Sequence, residues 1–400
     1  MSRLVVTNTT AVLPGRLLPD ATIVCEDGII VEIVDSPPSL SFEPHVVDAR
    51  GALCLPGLVD THSDGLERER FPRPGVDLGA RFPVRSFEGR VRAAGITTMF
   101  HGIGFEEDEK YHRSVVLANE WTDELEAYRT SGRALVDHRI LYRLDARDID
   151  GFHCLVDRLP RRADDGSLPL VSFEDHTPGQ GQYTDRTAFE RYIVGTQGIS
   201  EEEARRRVDE LIAERDATTV HRETALAWLV EQATSGAIRL MAHDPATVDD
   251  SDEARRWNAS IAEFPTTLEA AERAKELGLR TVCGAPNVMR GRSHSGNVSA
   301  RDLITRRLCD GLASDYLPST MLGAVAVLVH EGVCDLPSAV ALVTSGPATT
   351  VGLHDRGALL PGLRADLVIV EFDGPFACVR NVLRGEELLP EADDLVAVSA

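Results

Sequence analysis

A chain of 400 residues, 43% of them hydrophobic, can bury a large core and a smaller one, which excludes wholesale disorder. No apolar run approaches the ~18 residues of a membrane helix, and a formal net charge of −22 disfavours nucleic acid and anionic membranes as partners. An anionic small molecule would need a local basic island built from arginine, because Lys110 and Lys275 are the only lysines. Seven cysteines without paired spacing predict reduced thiols, and the first residues show no basic region ahead of an apolar stretch, so the expected location is cytoplasmic.

In chain order, residues 4–6, 21–25 and 29–34 read as short strands, with Glu26-Asp27-Gly28 as a turn signal between the last two. The final fifty residues look alike: 365–370 and the segment around Cys378-Val379 are strand-like and follow Pro361-Gly362. Residues 1–54 and 356–400 are therefore expected to form one small β-sandwich domain built from both termini, flanking a middle domain at 55–355. That middle alternates. Strand-like segments at 55–60, 95–100, 140–144, 168–175, 238–242, 260–264, 281–283 and 311–314 are separated by helical patterns such as 111–130, 201–234, 267–277 and 319–331. Eight strands with intervening helices predict an α/β fold, a (β/α)8 TIM-type barrel. A doubly wound open sheet is the alternative, but no Gly-x-Gly-x-x-Gly follows the first strand. The long polar stretch 182–222 reads as a helical lid or interface.

In such a barrel the chemistry sits at the carboxyl ends of the strands. His62 and Asp64, two apart, point the same way from the first strand. The second strand is expected to end in His101, the third in Asp145, the fourth in Glu174-Asp175-His176 and the fifth in His243-Asp244. The sixth carries Glu263, and the eighth ends in Asp315. Imidazole and carboxylate at nearly every strand end, with no thiolate among them, predict a divalent metal site for Zn, Mn, Fe or Ni. The basic island is Arg68, Arg70 and Arg73 after the first strand, Arg139 and Arg143 around the third, and Arg290, Arg292 and His294 in a Gly/Ser-rich loop after the seventh. Planar guanidinium forks suit phosphate oxygens, and Gly291, Gly296 and the Gly179-Gln180-Gly181 turn offer backbone N–H groups to an anion.

The segments LPGLVDTH at 55–62 and GLRADLVIV at 362–370, together with Asp315, resemble the amidohydrolase superfamily, whose members are metal-dependent barrels with a small β domain. HSDGLERERFPRPGV, SFEDHTPGQGQY, IAEFPTTLEAA, GAPNVMRGRSHSGNV and ASDYLP narrow the resemblance to the family of ribose 1-methylphosphonate 5-triphosphate diphosphatases of the carbon–phosphorus lyase pathway. The resemblance implies two divalent ions held by His62, Asp64, Asp145, Glu174, His176, His243 and Asp315, with Asp315 also taking the proton from water. Neither lysine is placed to be the carboxylated lysine that bridges metals in many relatives, so Asp145 or Glu174 is expected to bridge them. Asp145 departs from the family's glutamate by one methylene. The substrate implied is a small ribosyl triphosphate, cleaved to the 5-phosphate and diphosphate, with Arg68, Arg73, Arg143, Arg290, Arg292 and His294 on its phosphates. Homo-oligomerisation stays open. A cyclic amidase or deaminase on the same scaffold is the alternative, which the arginines argue against. A non-catalytic scaffold is another, and the full set of ligand-type residues argues against that one.

Overall fold

The computed structural model describes residues 3–35, 45–108, 112–164, 166–178, 186–293 and 296–385. The chain opens with β1 (Arg3–Leu13), β2 (Arg16–Glu26) and β3 (Ile29–Val34), an antiparallel run, followed by β4 (His45–Asp48) and β5 (Leu53–Pro56), both parallel to β1. Asp27 and Gly28 turn β2 into β3 with φ of 46° and 80°, the left-handed pair that a two-residue hairpin requires.

The next eight strands are β6 (Leu58–Ser63), β7 (Ile96–Phe105), β8 (Asp137–Asp145), β9 (Leu170–Glu174), β10 (Arg239–His243), β11 (Ile261–Glu263), β12 (Arg280–Gly284) and β13 (Gly311–Ala313). They pair in parallel, each with its neighbour in sequence, as an α/β barrel requires. The ring closes where Ser63 bridges Asp315. There the Asp315 N–H donates to the His62 carbonyl at 3.0 Å and the Asp64 N–H to the Asp315 carbonyl at 2.5 Å. β14 (Leu367–Asp373) and β15 (Phe376–Leu383) then return to the first sheet, where β14 pairs with β5, so both ends of the chain build the second sheet.

One expected strand, 55–60, is in fact two. Leu53–Pro56 belongs to the terminal sheet and Leu58 begins the barrel. Gly57 is the joint: its N–H donates to the Asp366 carbonyl at 2.7 Å, and a Cβ there would collide with Thr97. The strand expected to end at His101 instead runs on to Phe105.

The barrel floor takes one apolar side chain from every strand: Val59, Phe100, Leu141, Leu170, Met241, Ile261, Val282 and Ala313. Side chains alternate along a strand, so the residue two further on also points inward. Those residues are Gly102, Arg143, Ser172, His243, Glu263, Gly284 and Asp315. A polar layer thus lies directly on an apolar one. β6 is irregular between Asp60 and Ser63, and the shift brings His62 into this layer.

The stretch expected to be a lid is helical where described: Arg186–Gln197, Glu201–Ala217 and Thr219–Ser235. Ser200 and Glu203 form a reciprocal capping box at the start of the second helix. Phe189, Ile193, Ala204 and Val208 give the first two helices a small core of their own. Among the described residues no helix is long and apolar enough to cross a membrane, and all seven cysteines are free.

Candidate metal centre and active site

A cavity of about 540 Å³ lies over the polar layer, between the strand ends and the helices Arg186–Gln197 and Glu201–Ala217. At its base are two groups of ligand-type side chains. His62, Asp64 and Asp315 form one, Glu174, His176 and His243 the other, and in each the potential ligand atoms lie within 4.8 Å of one another. Four of the seven side chains expected as ligands are brought together at the ends of β6, β9 and β10: Glu174 and His243 by strand alternation, and His62 and, one residue past β6, Asp64 through the irregularity in β6. Asp315 follows β13 by two residues and His176 follows β9 by two.

Asp145 lies outside both groups. Burial pushes its carboxyl up, and Arg215 from the second insertion helix grips both of its oxygens, at 2.6 and 3.0 Å. It lines the same cavity, paired with Arg215.

Arg143 is paired within the site. It is 5% exposed, and its fork is spent on carboxylates. Nε and one terminal nitrogen hold Glu174 at 2.8 and 3.0 Å, and the other terminal nitrogen holds Asp64 at 2.7 Å. It is therefore an internal counter-charge joining the two ligand groups, and it also lines the cavity. Gly102 makes room for it, since a Cβ there would stand 2.6 Å from Asp64 Oδ1 and 2.9 Å from Arg143 Cδ.

Of the remaining expected phosphate ligands, Arg290 lines the cavity. Arg68, Arg73 and Arg292 are exposed and are not among its lining residues, and Arg68 stacks over Tyr316. His294 and the Gly179-Gln180-Gly181 turn fall outside the described residues. Arg139 points to the other end of the barrel and pairs with Asp137 at 2.9 Å. Arg70 is held by Asp77 and Glu120. His101 is buried in mid-strand, 2.8 Å from His138, which in turn contacts Glu88, so it belongs to the packing behind the barrel wall.

Several lining residues carry no sequence signal of their own: Arg113, Arg207, Glu210, Glu214 and Arg215. Arg113 is committed to Glu67 and Glu106. Arg207 is exposed on the insertion helix that covers the cavity. Asp244 and Glu263 stand at strand ends, where sequence reasoning noted them without giving them a role. Asp244 and Phe264, just after β10 and β11, and Asp315, two residues after β13, all adopt left-handed φ, at 51°, 53° and 58°. Such backbone is uncommon for a bulky side chain, and where it occurs it clusters at functional sites.

The charges are strongly coupled. Burial and the Asp64 charge push Asp315 up to about 6, and burial raises Asp244 to about 6. Burial works against an imidazolium at His243, yet Asp244, Glu174 and Glu263 outweigh it and raise that group to about 9. His62 is likewise raised, against burial, by Glu263 and Asp64. Burial lowers His176. Burial also opposes ionisation of Glu174, but Arg143 and His243 hold it well below the usual carboxylate range. The described lining holds eight carboxylates against five arginines, an acidic excess at the centre of the molecule.

An eight-stranded parallel barrel with a terminal-strand sheet, carrying a His-x-Asp pair on its first strand and an aspartate after its eighth, describes the class of amidohydrolases. Solved structures agree at the level of the fold. A crystallised enamidase, itself described as a member of the amidohydrolase superfamily, superimposes with a TM-score of 0.61 over 97% of this chain and 96% of that one, at 15% identity. An adenosine deaminase from Xanthomonas campestris, solved with bound zinc, superimposes with a TM-score of 0.54 over 96% and 94%, also at 15% identity. No family model matches the sequence. In sequence, the chain is 31% identical over 371 residues to the alpha-D-ribose 1-methylphosphonate 5-triphosphate diphosphatase of Escherichia coli strain K12, covering 92% of this chain and 94% of that protein. The chain belongs to the family of alpha-D-ribose 1-methylphosphonate 5-triphosphate diphosphatases, within the amidohydrolase superfamily.

Proposed function

We propose that this protein is a divalent-metal-dependent diphosphatase that cleaves the 5-triphosphate of a ribosyl phosphonate, α-D-ribose 1-methylphosphonate 5-triphosphate, to the 5-phosphate and diphosphate, as a step in phosphonate breakdown. The observation that carries this reading is the convergence of two three-residue ligand groups at the base of one cavity, in a chain that matches the E. coli diphosphatase over nearly its full length.

The donor set fits hard or borderline divalent cations. Each group combines imidazole with carboxylate, contains no thiolate, and opens onto the cavity. A triphosphate would be repelled by a lining so rich in carboxylate unless cations stood between them. His62, Asp64 and Asp315 would hold one ion and Glu174, His176 and His243 a second, with Arg143 tying Asp64 to Glu174. A divalent ion in this setting lowers the pKa of water toward neutrality and offsets charge on a phosphoryl oxygen. Asp315 then accepts the proton of the attacking water, and its left-handed backbone turns the carboxylate in toward Asp64 and His62. Arg290 and Arg207, reaching in from the helix after β12 and from the insertion, bind the outer phosphates of the tail. The insertion helices exclude bulk water from above. Attack at the α-phosphorus expels diphosphate and leaves the ribosyl 5-phosphate.

The test is product analysis by phosphorus NMR with the metal-reconstituted protein and a ribosyl 5-triphosphate. Stoichiometric diphosphate that disappears under chelator supports the reading. Orthophosphate release, or turnover of a cyclic amide or aminopurine in preference to the triphosphate, contradicts it.

A further inference from the structure

Glu263 is fully buried, its carboxylate on the polar layer between the two ligand groups, and it belongs to neither group. Its Oε1 stands 2.7 Å from His62 Nδ1. Its Oε2 stands 2.9 Å from His243 Nδ1 and accepts the Ser172 hydroxyl at 3.0 Å. His62 belongs to one ligand group and His243 to the other. The two imidazoles lie nearly parallel, 6.1 Å apart and inclined by 24°, and Phe264 packs on both at 5.2 and 5.7 Å. The next carboxylate near His243 Nδ1, that of Glu174, is 4.0 Å away, beyond hydrogen-bond reach.

We propose that Glu263 is a positioning residue shared by both metal half-sites: one carboxylate fixes the tautomer and aim of a histidine in each. An ionised carboxylate only accepts, so both Nδ1 atoms must carry the proton. Both Nε2 lone pairs are then left for a cation, and each Nε2 faces a carboxylate, Asp64 at 3.3 Å and Asp244 at 3.4 Å. A carboxylate behind a metal-binding histidine is a general device for orienting the ring. Here a single group serves two rings, so the two half-sites share a support. Glutamine in its place keeps one accepting oxygen and turns a donating NH2 toward the other imidazole. That ring must move its proton to Nε2, which removes a ligand, or lose its hydrogen bond, which loosens the aim of one.

The inference rests on the metal part of the reading above and is independent of the substrate. Its test is metal affinity, measured on the purified full chain by competition with a chromophoric chelator for Zn²⁺ and by the visible spectrum of the Co²⁺ form, for wild type, Glu263→Gln and Glu263→Asp. Glu263→Gln is expected to weaken at least one of the two ions by about 10- to 100-fold and to alter the cobalt spectrum. In parallel, proton NMR of the zinc form of wild type should show two solvent-protected imidazole Nδ1–H signals. That measurement decides the matter even where a variant fails to fold. Two ions bound by Glu263→Gln within about twofold of wild type, or zinc-loaded wild type with neither Nδ1–H signal, would overturn the inference. Wild type that binds both ions and shows both signals, yet releases no diphosphate, overturns the proposed function and leaves this inference standing.

Discussion

Arg143→Met tests whether the ligand carboxylates are a stored instability. Arg143 is the buried counter-charge of Asp64 and Glu174, with three nitrogen–oxygen contacts of 2.7 to 3.0 Å. Methionine preserves most of the apolar stem and removes the charge, leaving two buried carboxylates facing each other. Removing one partner of a buried ion pair costs about 3–5 kcal/mol. At about 2 cal/mol/K of unfolding entropy per residue, a chain this long loses roughly 1.2 °C of melting temperature per kcal/mol. The metal-free variant should therefore melt about 4–6 °C below metal-free wild type. A divalent cation would supply the missing positive charge to the same carboxylates, so most of that deficit should vanish in saturating Zn²⁺ or Mn²⁺. The assay is a pair of thermal melts of each protein, in chelator and in metal, at one scan rate. An equal deficit under both conditions would refute the argument, because Arg143 and the metal would then not be neutralising the same groups.

Asp315→Asn should weaken the ion held with His62 and Asp64 and, at saturating metal, still bind substrate while kcat falls on the order of 10²- to 10⁴-fold; a rate near wild type in a steady-state diphosphate assay removes Asp315 from proton transfer. Arg290→Ala should raise KM for the triphosphate roughly 10- to 100-fold with a much smaller effect on a diphosphate analogue, and equal effects on both would move the phosphate contact elsewhere. The pH dependence of metal binding follows from His62 and His243, both raised by their carboxylate neighbours, the latter to about 9. At about 9, His243 is protonated at neutral pH in the metal-free protein and must lose that proton to bind, so affinity should climb with pH by about tenfold per unit and level off above about 9, with the raised His62 acting in the same direction. Chelator competition from pH 6.5 to 9.5 checks this, and a flat profile would show that neither histidine is a ligand. Gly102→Ala places a methyl against Asp64 and Arg143 and should lower stability and metal affinity together; a variant unchanged in both would place that pair less tightly than described.

Much of the fold was legible because the strand segments of the middle region are short apolar runs bounded by turn and helix signals, and period two then fixes which side chains point inward. Glu174, His176, His243 and Asp315 could be picked from strand ends for the same reason; His62 and Asp64 were also visible at a strand end, although it is the irregularity in β6 that turns them inward, and all six converge. What was not legible depends on tertiary partners. Nothing in residues 137–145 tells that Arg139 faces away from the cavity while Arg143 is locked between Asp64 and Glu174. Nor do those residues tell that Asp145 pairs with Arg215, seventy residues later. The split of 55–60 at Gly57 was hidden because both halves are apolar and only the pairing partners differ, β14 for one and β7 for the other. Glu263 was visible at a strand end, but that a single carboxylate supports a histidine in each ligand group could be read only from distances.

The central claim is that water, activated at the base of this cavity, attacks the α-phosphorus of a ribosyl triphosphate. Hydrolysis in ¹⁸O-water by the metal-reconstituted protein, followed by phosphorus NMR of the isotope-shifted products, tests it most directly. The label should appear in the ribosyl 5-phosphate, with unlabelled diphosphate alongside. Label in the diphosphate, or a reaction that proceeds undiminished after the metal is stripped, would contradict it.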